Sequence, residues 1–268
     1  MEQSRFVIPA SEVESREALP SLVSSSEPLV RTPISNFNVA AVGLGASGRA
    51  FVGVNIEFPG LPFHHTIHAE QFLLTNMSLH AETTLHSFAV SAAPCGHCRQ
   101  FLQELRHAPD VQILITSDPN PSFTPLSHLL SHHFGPHDLL PQSEPLLLEP
   151  RHNNLTLPNP NSLTLAALEA ANASHAPYSA CPSGVALLDS KGALYKGSYI
   201  ESAAYNPSLG PLQAALVAFI SAGGGDYEDI AAAVLVEKEG ALIKQDHTAR
   251  LLLHSIAPLC RFEAFLAT

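Results

Sequence analysis

A stretch near the start of this chain recurs in outline near its middle. Shifted by 144 residues with no gap, RTPISNFNVAAVGLGASGRAFVGVNIE (31–57) lies over HAPYSACPSGVALLDSKGALYKGSYIE (175–201). Pro33 meets Pro177, Ser35 meets Ser179, Gly48 meets Gly192, Gly53 meets Gly197 and Glu57 meets Glu201. Apolar positions coincide as well, Phe51 with Tyr195 and Leu44 with Leu188. A repeat of this length is one folding unit made twice, so the chain reads as a duplicated domain. Each copy shows a helix, a strand hairpin, a second helix and then strands alternating with helices, which is an α/β unit with a central sheet. Between the copies, PRHNNLTLPNPNS (150–162) is rich in Pro and Asn and has no apolar period. It reads as a linker, leaving residues 1–149 and 163–268 as the two domains.

The first copy contains Gly43-x-Gly45-x-x-Gly48 after a strand-like run, the spacing of a dinucleotide-binding turn. That fingerprint requires a helix next, whereas Ala50-Phe51-Val52-Gly53-Val54-Asn55-Ile56 carries β-branched and aromatic residues at strand spacing. The glycines therefore read as the turn of a β-hairpin. Composition narrows the partners. With 13 Lys plus Arg against 24 Asp plus Glu, the formal charge is −11, which repels phosphate backbones, so no nucleic-acid partner is expected. The N-terminal segment lacks a basic stretch followed by an apolar one, and no apolar run approaches the ~20 residues of a membrane span. Cys95, Cys98, Cys181 and Cys260 are too few and too unevenly placed for a disulfide framework. A cytoplasmic protein with reduced thiols and no membrane partner is the expectation.

Chemistry gathers in two short segments of the first copy. PFHHTIHAEQF (62–72) offers His64, His65 and His68, with Glu70 two places after the last. Downstream, a strand-like run ends in Pro94-Cys95-Gly96-His97-Cys98 at the start of a helical pattern. Cysteines three apart at a helix start share one side of the first turn, where unpaired N–H groups and the helix dipole favour the metal-binding thiolate. A third ligand from a neighbouring helix start would make a three-point zinc site with one open position, the arrangement of a catalytic zinc. Taken alone, a C-x-x-C is also a redox dithiol, and Cys181 or Cys260 could close a four-ligand structural zinc. The joint pattern H-x-E with P-C-x-x-C, however, matches the signature of zinc-dependent nucleobase deaminases. On that match His68, Cys95 and Cys98 are the ligands and Glu70 the unligated acid/base. His64 and His65 are left to a solvated loop, and His97 to another direction on the turn. A zinc-activated water would add to C4 of a cytosine ring while Glu70 moves its proton to N3 and later to the departing ammonia.

RTPISNFNV (31–39), Asn55-Ile56-Glu57, HAEQ, PCGHCRQF and FGPHDL (134–139), continued through SHAPYSACPSGVAL and SYIESAAYNPSLGPLQAAL, together resemble cytidine deaminases of the two-domain, homodimeric type. The resemblance implies an α/β fold of duplicated cytidine-deaminase-like domains, each a central mixed β-sheet flanked by helices in three α/β/α layers, with the second copy catalytically degenerate. It implies one zinc per chain and hydrolysis of cytidine and 2′-deoxycytidine to uridine and 2′-deoxyuridine in pyrimidine salvage. By the same resemblance Asn55 and Glu57 bind the ribose 3′-hydroxyl, Phe37 packs against the base, and the backbone at Ala69 and Ala93 holds the pyrimidine edge. FGPHDL would close over the nucleoside, with the role of His137 open. A homodimer is implied in which the degenerate domain helps to wall the partner's active site. The competing readings are a deaminase of a cytosine nucleotide or polynucleotide and a non-catalytic zinc-stabilised module. At the ungapped shift, Leu212, Ala214, Glu239 and Leu242 stand where His68, Glu70, Cys95 and Cys98 would recur, so the second copy is expected to carry no site.

Overall fold

The computed structural model describes residues 5–268. In the first half the elements run β1 (Val7–Ile8), α1 (Leu19–Ser26), β2 (Ala40–Gly45), β3 (Ala50–Val54), α2 (Ala69–Leu79), β4 (Leu85–Val90), α3 (Gly96–Phe101), β5 (Gln112–Ile115), β6 (Thr124–Pro125) and α4 (Leu126–Leu129). In the second they run α5 (Ser162–Asn172), β7 (Ser183–Asp189), β8 (Leu194–Ser198), α6 (Pro211–Ser221), β9 (Ile230–Lys238), α7 (Asp246–Ile256) and β10 (Arg261–Ala267).

Two mixed sheets result, ordered β1-β3-β2-β4-β5-β6 and β10-β9-β7-β8. Their common part is the same four-strand unit, with β4 parallel to β5 and β9 parallel to β10. The hairpins match down to their irregularities. The register shift at Leu44/Gly45 recurs at Leu188/Asp189, and the left-handed backbone at Asn36 and Gly48 recurs at Ala180 and Gly192. Gly43 and Gly45 close β2 and Gly48 lies in the turn to β3, so the expected hairpin forms with no helix after it.

In the second half, Gly184 lies against α5 and Gly197 against α6. Gly184 pairs with Ser198 and Val185 with Gly197, so the two glycines face opposite sides of the sheet and the helices cover both faces. In the first half α2 packs on β3, where a Cβ at Gly53 would overlap the Ala69 carbonyl. Only glycine lets the start of α2 come so close to the strand. The helices α2 and α6 then pack on each other, and one continuous core runs through both halves, from Phe72 and Leu73 to Leu216 and Phe219.

Two polar features bind the halves further. Glu104, fully buried in the first half, accepts from Tyr178 Oη at 2.7 Å and Ala203 N at 2.7 Å and lies 3.0 Å from His175 Nε2. The segment 150–161 has no regular structure. It lies along the second half: Asn153 Nδ2 donates to the carbonyls of Ala171, Asn172 and Ser174, Thr156 pairs with Thr268, and Leu155 enters the small core between α5 and the second sheet.

The structure corrects the ungapped repeat. The bridge of Ile56 to Ile67 recurs as Ile200 to Leu209, so the loop after Glu201 is two residues shorter than the loop after Glu57. Gly210 is therefore the counterpart of His68, and Leu212 that of Glu70. Beyond it, β9 runs one residue later in register than β4, since Val90 and Leu235 pair with the equivalent residues Ala41 and Val185. Gly240 and Ile243 thus stand at the positions of Cys95 and Cys98. None of the four corrected positions carries a ligand or an acid, and the second half is degenerate on either register.

Candidate active site

His68 is the N-cap residue of α2, in extended backbone just after the Ile56–Ile67 bridge has returned the chain to the end of β3. Cys95 is the N-cap residue of α3, at the end of β4, and Cys98 lies in the first turn beyond it. β3 and β4 run in the same direction on either side of β2, and the helix starts that follow them bring the three donors together. Nδ1 of His68 lies 3.5 Å from Cys95 Sγ and 3.2 Å from Cys98 Sγ, and the two sulfurs are 3.7 Å apart. A tetrahedral zinc with Zn–S of about 2.3 Å and Zn–N of about 2.0–2.1 Å sets two thiolates about 3.7 Å apart and a thiolate and an imidazole nitrogen about 3.5 Å apart. The donor set fits the ion in both element and spacing.

Electrostatics suit it as well. The Cys98 thiol and the His68 ring hold Cys95 as thiolate, with a pKa down at about 3, while the same sharing with Cys95, together with burial, pushes Cys98 up. His68 is raised by its hydrogen bond to Cys95, against burial. Glu70, 3% exposed in the first turn of α2, has its carboxyl lifted by burial.

A cavity of about 370 Å³ opens over these groups. Of the residues singled out from the sequence, Phe37, Asn55, Glu57, His68, Ala69, Glu70, Ala93 and Cys95 line it, and Cys98 stands buried behind. Asn55 and Glu57 are already engaged in the wall. The Asn55 amide accepts from Val39 N at 2.9 Å and donates to Phe37 O at 2.9 Å. The Glu57 carboxylate accepts from Ile34 N at 2.9 Å, Ser35 N at 3.0 Å and the Ser35 hydroxyl. Among the described residues, no Lys or Arg lines the cavity.

Several positions differ from expectation or escaped it. His65 is not solvated: it is buried in a 3-10 turn with its ring 4.3 Å from that of His64. One ring nitrogen of His97 lies within 4.8 Å of the other three donors, and its ring centre is 5.1 Å from that of His68, so it borders the donor cluster rather than pointing elsewhere. Neither Cys181 nor Cys260 joins the cluster among the described residues. No residue of the FGPHDL segment lines the cavity; Gln100 Nε2 holds its start, at Phe134 O, against α3. Phe63, 61% exposed, and Ser35 and Thr66 line the cavity without having been singled out. An aromatic just upstream of the histidine cluster was the one available signal for Phe63. Arg99, beside Cys98, ties the metal turn to α4 by donating to Pro94 O at 2.8 Å and Leu129 O at 2.7 Å.

Residues 14–115 and residues 126–250 each match the family described as the cytidine and deoxycytidylate deaminase zinc-binding region. Cytidine deaminase 1 of Arabidopsis thaliana is 54% identical over 99% of this chain and 98% of its own length. Cytidine deaminase 6 of the same plant is 50% identical over 91% of this chain and 90% of its own. A bacterial cytidine deaminase, from Photorhabdus laumondii, is 44% identical over 84% of this chain and 74% of its own. With relatives this similar aligned along nearly its whole length, and the zinc-binding region matched in each half, this chain belongs to the cytidine deaminase family.

Proposed function

We propose that this protein hydrolyses cytidine and 2′-deoxycytidine to uridine and 2′-deoxyuridine with release of ammonia, using one zinc per chain held by His68, Cys95 and Cys98. The observation that carries the reading is the tetrahedral spacing of those three donors beside a buried carboxylate in one cavity. When bound, zinc supplies a Lewis acid that makes a water nucleophilic near neutral pH. Glu70 takes a proton from the attacking water as the C4–O bond forms and hands it to N3 of the ring. It then delivers the second proton to the departing amine as the C4–N bond breaks, so water and cytidine balance uridine and ammonia. Burial raises the Glu70 carboxyl, which favours its carrying a proton during this relay.

Phe37 packs against the base, Ala69 and Ala93 offer backbone groups to its edge, and Asn55 with Glu57 receives the ribose 3′-hydroxyl. Glu57 and Glu70, in a cavity that no described Lys or Arg lines, disfavour a phosphate, which supports a nucleoside over dCMP or a polynucleotide. Phe37 and Phe63, 62% and 61% exposed, are apolar groups at the cavity that a second subunit would cover, which supports a homodimer. We place the enzyme in cytoplasmic pyrimidine salvage, with domains at 1–149 and 163–268. Ammonia release from cytidine, dCMP and single-stranded DNA, run alongside metal analysis, tests the reading. Turnover of cytidine with one zinc per chain is the expected outcome; preference for dCMP or DNA, or zinc without turnover, overturns it.

A further inference from the structure

The catalytic half does not hold its histidine ligand alone. Gln71 and Gln213 occupy the same position, three residues into α2 and α6, and each uses its side-chain oxygen to accept the N–H of its own helix cap, His68 at 3.2 Å and Gly210 at 3.1 Å. Each then donates its amide N–H across to the other half. Gln71 Nε2 reaches Pro207 O at 2.9 Å, and Gln213 Nε2 reaches His65 O at 3.1 Å. The two bonds form a reciprocal clasp about the α2–α6 contact, but its two ends differ in consequence. Around Gly210 the clasp holds nothing chemical. Around His68 both arms end on the ligand loop, one at His65 O and the other at the His68 peptide itself.

We propose that Gln213, on the degenerate half, is a positioning residue for the zinc ligand His68. The inference rests on His68 being a ligand, as proposed above. Between His65 and His68 only Thr66 and Ile67 intervene, and Ile67 is fixed to Ile56 by hydrogen bonds of 2.8 and 3.0 Å. Releasing His65 O therefore removes the anchor that, beside the Ile56–Ile67 pairing, ties the loop before the ligand to another element. Groups that orient a metal ligand from behind typically change metal affinity or activity about 10- to 100-fold when removed. A duplicated half without a site thus keeps a role in the chemistry of the other.

Gln213→Glu isolates the arm. Its carboxylate still accepts the Gly210 N–H, so α6 keeps its cap, but it has no proton for His65 O and turns an oxygen toward that carbonyl. The full-length protein is compared with this variant and with Tyr195→Phe, which removes a hydrogen bond of 2.9 Å to Asp189 elsewhere in the same half. Zinc transfer to an excess of a coloured chelator, the visible spectrum after replacement of zinc by cobalt(II), and kcat and KM for cytidine are read together. Gln213→Glu is expected to release zinc about 10- to 100-fold faster, shift the cobalt spectrum and lower kcat more than it raises KM. Tyr195→Phe is expected to match the unsubstituted protein in all three. Release at the unsubstituted rate with an unchanged cobalt spectrum, or equal acceleration in Tyr195→Phe, overturns the role of Gln213. Should Gln213→Glu fail to fold, Gln213→Met removes the same donor to His65 O without adding a charge and is judged by the same release and spectral criteria. Unsubstituted protein that takes up neither zinc nor cobalt with thiolate character would instead overturn the ligand assignment beneath the proposal.

Discussion

The two halves stabilise the turn of their first hairpin with a carboxylate that arrives from different places. In the catalytic half Glu82, from the loop after α2, accepts from Ser47 N and Oγ and approaches Arg49 at 3.4 Å. Gly45 makes room for it, since a Cβ there would overlap the Glu82 carboxyl group. In the degenerate half the residue at that position is Asp189, and its own carboxylate accepts from Lys191 N at 2.9 Å, Ala193 N at 2.8 Å and Tyr195 Oη at 2.9 Å. The two turns close alike although no residue of the polar cluster is shared. Exposed backbone N–H groups at a turn require an acceptor, and the fold is indifferent to which element supplies it.

Glu57 and Glu201 make the opposite comparison, with one residue and one geometry in both halves. Glu201 accepts from Tyr178 N at 2.9 Å, Ser179 N at 3.2 Å and the Ser179 hydroxyl, as Glu57 does from Ile34, Ser35 N and Ser35 Oγ. Holding that loop is therefore a duty the residue has in both halves, apart from any contact of Glu57 with ribose. What the second half lost is narrower than a domain. Its loop is shortened before the helix cap, its cap is glycine, and beyond β9 no helix begins until Asp246, so no helix N-terminus stands where Cys95 would need one.

The most severe way to break the comparison is to separate the halves. A fragment of residues 1–149 keeps all three donors and Glu70, but strips α2 of α6 and leaves the buried Glu104 without its partners Tyr178, His175 and Ala203. It is expected to aggregate and lose essentially all turnover; a soluble fragment of full activity by light scattering and assay would show that the second half is dispensable. Next in size, Glu70→Gln is expected to retain one zinc and lose about 10²- to 10⁴-fold in kcat, the range for removing a general acid/base. Loss of zinc on metal analysis would make Glu70 a ligand instead.

Smaller effects sharpen the contrast between duplicated residues. Glu57→Gln and Glu201→Gln each disturb an equivalent set of hydrogen bonds, and each is expected to cost about 1–3 kcal/mol in chemical denaturation. Only Glu57→Gln should also raise KM for cytidine while leaving weak turnover of free cytosine unchanged. Equal kinetic losses from both variants would reduce Glu57 to its loop-holding duty. The smallest effect lies at Arg106 and Glu149, whose 2.6 and 2.8 Å contacts tie the end of the first half to itself. The Arg106 guanidinium holds the Glu149 carboxyl below its usual range, against burial. A depressed carboxylate stabilises above its unfolded pKa of about 4.3 and ceases to do so as pH falls through its folded value. Glu149→Gln should thus lower stability by about 1 kcal/mol or less at pH 7 and by less again at pH 3, in denaturation curves taken at both. A loss that grows on acidification would contradict the pairing.

Much of the site was legible because its code is short-range. His68, Glu70, Cys95 and Cys98 sit at helix starts, where two- and three-residue spacings fix which groups share a face, and strand patterning identified the hairpin that carries Asn55 and Glu57. Residues without a local signature were missed or misread. Phe63 and His65 lie in a turn whose exposure depends on what packs beside it, and the polar clasp of Gln71 and Gln213 joins residues 142 apart. The two-residue shortening was invisible to an ungapped alignment, since apolar helix positions tolerate such a shift until a strand register fixes them.

By itself, then, the sequence determined the duplication, the hairpins, the donor set and the loss of donors in the second copy, all consequences of residue chemistry at fixed short separations. Only the tertiary structure decided that α2 and α6 face each other, that Glu104 is buried among groups of the other half, and that Gln213 of the degenerate half bonds His65 in the loop before His68. Those outcomes depend on which apolar faces meet. Helical periodicity names a buried face but not its partner, so a hydrogen bond across that contact is defined only once the two faces have packed.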